Sequence, residues 1–453
     1  MNCKVRFAPS PTGFLHIGNA RIAVVNYLFA KKNNGRFLLR IDDTDAIRSK
    51  KEYEDSIIED LAWLGIEYDE TFRQSERKER YDEIKNNLVA DGVLYKCYES
   101  QEELEYKRKV SLSKGIPPVY DRHSLTLTDE QKQKFESDGV PSYWRFKLPN
   151  KIVSWDDIIL GEISYDLNNV SDPVVIKADG TYLYSFSSVV DDSDSGVTHI
   201  IRGQDHVTNT AVQIAMFDKI SKNKFNAKFA HLSLFVNKDG SQFSKRLGSM
   251  NLGDLRKRGI DPMAISNLLA TLGSSLDVSS FQNMDDLIEY FDIRKFSANS
   301  PKFDIDDVLK LNGKIIRSKP YKDIKKFGLS EDAFEVIKDN IENYNDFKTW
   351  KDILKPGYIS NYVPNAQGKK LLETAISELE NVVELDNESS VKFLERLKSA
   401  AGVSGKELYI PLRESLTNME HGPNITQLFT LFGKKETQRR FASTVLKSKE
   451  ICR

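Results

Sequence analysis

Residues 6–21 run Arg6-Phe7-Ala8-Pro9-Ser10-Pro11-Thr12-Gly13-Phe14-Leu15-His16-Ile17-Gly18-Asn19-Ala20-Arg21. The stretch reads as a strand, a turn and a helix start. Val5-Arg6-Phe7-Ala8 alternates as a short strand does, and Pro9, Pro11 and Gly13 then interrupt any regular structure. From Ile17 to about Lys32 the pattern is helical. Ile22, Val24, Val25, Leu28 and Phe29 make it apolar nearly all round, which predicts a buried helix. A turn that ends at a helix N-terminus presents unpaired N–H groups and the positive end of the helix dipole, a natural anion site. Gly18 lets a ligand approach the backbone, and His16 sets a hydrogen-bond donor beside it.

The pattern around this stretch repeats. Phe37-Leu38-Leu39-Arg40-Ile41 reads as a second strand that ends in Asp42-Asp43-Thr44-Asp45, where open α/β sheets bind ligands. Ser49-x-x-Glu52 predicts a capping box for a helix to Leu64, with Tyr53, Ile57, Leu61 and Leu64 on one face and Gly65 as its stop. A further helix spans about Glu76 to Ala90, with Tyr81, Ile84 and Leu88 inward. Tyr143–Lys147 and Ile158–Tyr165 alternate and predict strands. Beyond Gly180, Thr198–Gly203 and Leu232–Val236 read as strands and Thr210–Phe217 as a helix. Asp261, Pro262 and Gly273 bracket another helix. From about 320 onward strand signals nearly vanish, and Leu372, Ile376, Leu379 and Val383 mark one helical face. The fold class that follows is α/β: a doubly wound, Rossmann-like parallel sheet with an α+β insertion, then an all-helical C-terminal domain.

At 453 residues the chain has room for two to four domains. Lys+Arg number 66 and Asp+Glu 67, so there is no global basic field, and a nucleic-acid partner needs local patches. Two stretches qualify: Lys314–Lys326 has six basic residues against one acid, and Lys434–Arg453 has seven against two. No apolar run reaches membrane-spanning length, and no targeting segment is expected ahead of Arg6. Cys3, Cys97 and Cys452 lie far apart, which gives neither a disulfide framework nor a zinc spacing. The expected compartment is the cytoplasm.

Residues 6–21 closely resemble the first active-site motif of class I aminoacyl-tRNA synthetases, in the form found in the glutamyl branch, with Asn19 in place of a second His. In a loop after the last strand, Phe243-Ser244-Lys245-Arg246 resembles the second motif, with Gln242 where a Lys is usual. Phe303–Lys314 resembles the segment that contacts the tRNA inner corner. Gly405–Arg413, Leu416-Thr417, Gly422-Pro423 and Leu431–Lys434 resemble the helical domain of bacterial glutamyl-tRNA synthetases. The resemblance implies five segments. Residues 1–95 and 184–253 are the halves of the nucleotide-binding domain, and 96–183 the insertion that grips the acceptor end. Residues 254–325 contact the stem, and 326–453 bind the anticodon.

It also implies a site. His16 and Lys245 are the catalytic pair, and Pro9, His16, Gly18, Asn19, Ser244, Lys245 and Arg246 hold ATP with Mg2+. Arg6, Ser10, Asp42, Tyr184, Ser188 and Arg202 hold glutamate. Read from the residues alone, a buried Arg pairs with a protein acid more often than with a ligand; the resemblance turns Arg6 and Arg202 towards a substrate carboxylate. Three positions depart from the usual pattern: Asp42 stands for a Glu, Ser188 for a frequent Asn and Ser185 for a common His. Some relatives carry zinc in the insertion. Here Glu99 stands where a second Cys would, and no Cys lies near Asp121-Arg122-His123, so no zinc is expected. The implied partners are glutamate, tRNA(Glu) and potentially tRNA(Gln), acting on a monomer, without a membrane. The rival readings are a ligase directed also or only to tRNA(Gln), and a catalytically silent tRNA-binding protein.

Overall fold

Described in a computed structural model are residues 3–222, 224–241 and 251–451. The chain divides into two units, Met1–Lys257 with Pro262–Ile305, and Arg258–Asp261 with Asp306–Arg453. In the first unit the strands are β1 (Lys4–Phe7), β2 (Arg36–Ile41), β3 (Glu70–Arg73), β4 (Leu94–Cys97), β5 (Tyr143–Phe146), β6 (Ile152–Asp157), β7 (Gly161–Asp166), β8 (Val174–Ile176), β9 (His199–Gly203) and β10 (Lys228–Leu232). The helices include α1 (Ile17–Lys32), α2 (Lys51–Trp63), α3 (Lys78–Ala90), α4 (Gln101–Ser113), α5 (Asp129–Ser137), α6 (Tyr184–Asp194), α7 (Val207–Ile220) and α8 (Leu252–Lys257).

Strands β1, β2 and β3 form one parallel sheet in that order. A second sheet runs β7-β6-β10-β9, parallel except for the β6–β7 hairpin. The two meet at β1 and β9. Lys4 N donates to Thr198 Oγ1 at 2.8 Å, and Thr198 N donates back to Lys4 O at 2.9 Å. Across this seam the strands keep one direction but the order in which the chain visits them reverses, β1 to β3 running away on one side and β9 to β10 on the other. That is the switch point where an open α/β sheet leaves a crevice at its C-terminal edge. Strands β4, β5 and β8 form a separate antiparallel sheet.

Helix α1 occupies the span read from the sequence and buries eleven of its sixteen residues, Val24, Val25 and Leu28 among them. Four expectations are corrected. Ser49 does not cap α2; the N-cap is Lys50, with no side-chain bond, and Ser49 N instead closes a turn to Asp45 O. The strand expected over 158–165 is a hairpin, because Asp157 Oδ1 takes the N–H groups of Ile159 and Leu160 into a turn. The strand expected at 232–236 is β10, four residues earlier, where Phe229 pairs with Ile200. Val383 lies past the end of helix Ala366–Glu380 and is exposed. Strands β6 and β7 fall within 96–183, the expected insertion, yet belong to the sheet of β9 and β10, β6 pairing with β10 and β7 with β6.

The regular elements of the second unit's described residues are all helices, packed around Phe347, Trp350, Leu372, Phe393, Leu412 and Phe429. Of the two basic stretches, the first keeps Lys314, Lys322, Lys325 and Lys326 exposed. In the second, Arg439, Arg440 and Lys447 are bonded to backbone carbonyls, so their charge is turned inward.

Candidate active site

The crevice between β1 and β9 opens into a cavity of about 560 Å³. Nine of the residues singled out from the sequence line it: Arg6, Pro9, Ser10, His16, Gly18, Asn19, Asp42, Tyr184 and Arg202. They converge because β1, β2 and β9 are parallel and end on one side, and because the turn after β1 carries the chain to the start of α1. Asp42 N donates to Pro9 O at 3.0 Å, which ties the end of β2 to that turn.

His16 is the N-cap of α1, in extended conformation (φ −91°, ψ 164°). Its Nδ1 accepts Asn19 N–H at 3.3 Å, so in the neutral ring the proton sits on Nε2. A Cβ on Gly18 would lie 3.2 Å from His16 Nδ1 and Cε1, so the glycine makes room for the imidazole. His16 also forms a β-bridge with Asn251, and Leu252 N donates to Leu15 O at 3.0 Å. The chain that carries the second motif therefore rejoins the fold beside the first. Ser244, Lys245 and Arg246, with Gln242, lie outside the described residues.

The two arginines differ. Arg6 Nε reaches both oxygens of Asp192 at 3.2 Å, and Nη1 reaches Ile201 O at 3.5 Å. Asp192 also receives Arg40 Nη1 at 2.6 Å, and Arg40 grips Asp42 through Nε (2.6 Å) and Nη2 (3.1 Å). Arg6, Arg40, Asp42 and Asp192 thus form one buried ion network. Arg202 is equally buried, but its partners are Tyr184 OH (3.1 Å), Thr210 Oγ1 (2.6 Å) and His231 Nε2 (3.4 Å). Among the described residues no carboxylate lies within ion-pair distance of Arg202. Burial depresses its pKa from the ordinary arginine value. A buried guanidinium without an acid is costly unless an anion completes it.

Asp42 faces the cavity as expected, with a carboxyl pushed up to about 6. Burial is the main cause, Arg40 opposes it, and Asp191 and Asp192 add to the rise. Ser188 is corrected: it is not among the lining residues. One turn below Tyr184 on α6, its hydroxyl donates to Tyr184 O at 2.5 Å and accepts from Gln213 Nε2 at 3.0 Å. Sequence reading missed Arg40 and Asp192 as parts of the site, and Asp205 and His206 as lining residues. The polar end of β9 was the only signal for the last two.

Among the described residues no group of three or more His, Cys, Asp or Glu is placed to hold a metal ion. Glu99 accepts from Tyr120 OH and Ser124 Oγ, both at 2.8 Å, and Cys97 Sγ lies 3.5 Å from Tyr120 OH. The carboxylate is engaged by two hydroxyls rather than turned to a shared centre. Among the described residues no helix is long and apolar enough to cross a membrane.

Comparisons with known proteins agree with this geometry. The family model for class I tRNA synthetases (E and Q), catalytic domain, matches residues 2–310, and that for an anticodon binding domain matches residues 306–445. The chain is 42% identical over 447 residues to glutamate–tRNA ligase 1 of Maricaulis maris, covering 97% of this chain and 99% of the relative. It is 43% identical over 446 residues to glutamate–tRNA ligase 2 of Rickettsia canadensis, covering 96% and 98%. A crystal structure of a glutamate tRNA ligase from Elizabethkingia meningosepticum, in complex with its amino acid, is similar with a TM-score of 0.82 at 27% identity. That match covers 98% of this chain and 99% of the other.

Proposed function

Because the chain belongs to the class I tRNA synthetases of the glutamate and glutamine branch, we propose that it joins glutamate to the 3′-terminal adenosine of tRNA(Glu). The glutamate α-carboxylate attacks the α-phosphorus of ATP, pyrophosphate leaves, and a ribose hydroxyl of the tRNA then takes the acyl group with release of AMP. Both first reactants are anions, so the site must neutralise charge and hold them in line. The start of α1 and the His16 Nε2–H serve the phosphate, and the family resemblance assigns Lys245 to the leaving pyrophosphate. Pro9, Gly18, Asn19, Ser244 and Arg246 complete the ATP site. Mg2+ bound with ATP would supply further neutralisation of the phosphate charge.

The observation that carries the amino-acid choice is Arg202, a buried cation on the cavity whose described partners are all uncharged. It takes the side-chain carboxylate with Arg6; Tyr184 and Ser10 border that pocket, and Asp42 meets the ammonium. Glutamine would leave Arg202 unpaired, which is the expensive outcome. Residues 96–183 contact the acceptor end, 254–325 the stem and 326–453 the anticodon. The enzyme acts as a monomer in the cytoplasm.

The deciding experiment charges purified tRNA(Glu) and tRNA(Gln) separately with labelled glutamate and ATP. Charging of tRNA(Glu) supports the reading. Charging of both extends it to a non-discriminating ligase, and charging of tRNA(Gln) alone replaces the acceptor. If neither is charged while tRNA still binds, the chain is a silent tRNA-binding protein.

The Asp42 role has a pH signature. With its carboxyl near 6 in the free enzyme, Asp42 loses its charge as pH falls through that value, and the substrate ammonium loses its partner. The expected result is a kcat/KM for glutamate that is flat above about pH 7 and falls about tenfold per unit below about pH 6. Asp42→Asn should lower the plateau and remove that limb. An acid limb unchanged in Asp42→Asn would assign it to another group.

A further inference from the structure

Behind Arg202 lies a second buried pair that the cavity never touches. Asp157 ends β6, and His231 lies on the neighbouring β10; both are buried. His231 Nδ1 donates to Asp157 Oδ2 at 2.5 Å. Asp157 Oδ1 accepts three backbone N–H groups: His231 (3.2 Å), Ile159 (3.1 Å) and Leu160 (3.0 Å). Burial works against the Asp157 charge, but His231 and those turn N–H groups hold its carboxyl below the usual range. The carboxylate is thus fixed in place, and it fixes the proton on Nδ1. Nε2 is then a lone pair, and it faces Arg202 Nε at 3.4 Å and Thr210 Oγ1 at 2.8 Å. Burial, with the Arg202 charge adding, keeps the imidazole neutral against the pull of Asp157.

The arrangement solves a conflict. A guanidinium that must bind an anionic ligand has to be held still, yet a carboxylate touching it would cancel its charge. At Arg6 such a carboxylate is present, Asp192, which is shared with Arg40. At Arg202 a neutral ring stands between the acid and the cation. We propose that Asp157 and His231 are positioning residues for amino-acid specificity: the carboxylate, acting through the imidazole, aims Arg202 into the cavity and leaves its charge for an acidic side chain. This rests on the reading that Arg202 receives that side chain. The opposing possibility is a staple between β6 and β10 and nothing more.

The test uses the full chain with tRNA and varies glutamate and ATP separately. In Asp157→Asn the amide can donate to Nδ1, which moves the ring proton to Nε2 and sets two donors against each other at Arg202. Asp157→Asn and His231→Gln should raise KM for glutamate about tenfold or more and narrow the preference over glutamine. KM for ATP should stay within about twofold. Thr210→Val, on α7 outside the strand pair, removes the hydroxyl bonded to both Arg202 and His231. It should reproduce the glutamate defect, and Thr210→Ser should relieve it; this pair decides the matter if the strand variants do not fold. Folded Asp157→Asn with unchanged KM for glutamate overturns the proposal. So does a shift of both KM values together with the melting temperature, the pattern of a staple. Arg202→Lys separates the two levels. If it leaves KM for glutamate unchanged, the parent reading falls and takes the proposal with it. If it impairs glutamate while Asp157→Asn and Thr210→Val do not, the proposal alone falls.

Discussion

Arg202→Ala is expected to lower kcat/KM for glutamate by about 10²–10³ in tRNA-dependent ATP–pyrophosphate exchange. The magnitude follows from truncating one side of a buried, hydrogen-bonded charge pair, which costs about 3–4 kcal/mol, and each 1.36 kcal/mol is about one decade in rate. Arg202 is the cleaner of the two arginines to remove. Its described partners are a phenol, a hydroxyl and a neutral imidazole, so its loss strands no protein carboxylate. Removing Arg6 instead would deprive Asp192 of a partner and load the whole charge of Arg40 onto Asp42 and Asp192, which confounds binding with stability. The defect in Arg202→Ala should sit mainly in KM for glutamate, with KM for ATP nearly unchanged, because the proposed function sets the guanidinium against the part of the substrate that does not react. Exchange within about fivefold of wild type at low glutamate would remove Arg202 from the amino-acid pocket.

What the sequence could and could not show follows from the range of each signal. Helix α1 was legible because its cues are local: a Pro- and Gly-rich turn before it, and apolar residues on every face after it. The shift of β10 was not, because Phe229–Val236 alternates equally well in either frame. The choice is made by the register with β9 and by His231, a polar residue that is tolerated inside because Asp157, 74 residues away, completes it. Distance along the chain hid the ion network in the same way. Arg40 and Asp192 are 152 residues apart, and nothing near either predicts the other. Ser188 misled for a different reason. It shares a face with Tyr184 at one-turn spacing, but Tyr184 stands at the first residue of α6, at the cavity, while the next turn is already buried against α7. Ser49 shows the limit of a short motif. The spacing to Glu52 is right for a box, but the turn closed on Asp45 moves the helix start one residue on.

His16→Ala should slow adenylate formation by about 10²–10³ while tRNA affinity stays close to wild type. Two effects are removed together, and they can be separated. The first is the cap: Nδ1 satisfies the Asn19 N–H, and losing it costs the helix about 1 kcal/mol. The fold survives this, since eleven residues of α1 are buried. The second is the Nε2–H at the cavity, which the proposed function assigns to the negative charge that builds on the α-phosphate as the carboxylate attacks. His16→Asn divides them, because asparagine caps well but is too short to put a donor at the same point. It should regain the melting temperature lost in His16→Ala and none of the rate. Recovery of rate along with stability would mean that His16 serves only to start the helix, and the anion would then be held by the N–H groups of α1 alone. The measurement pairs thermal unfolding with single-turnover adenylate formation, and tRNA binding serves as the control that the rest of the molecule is intact.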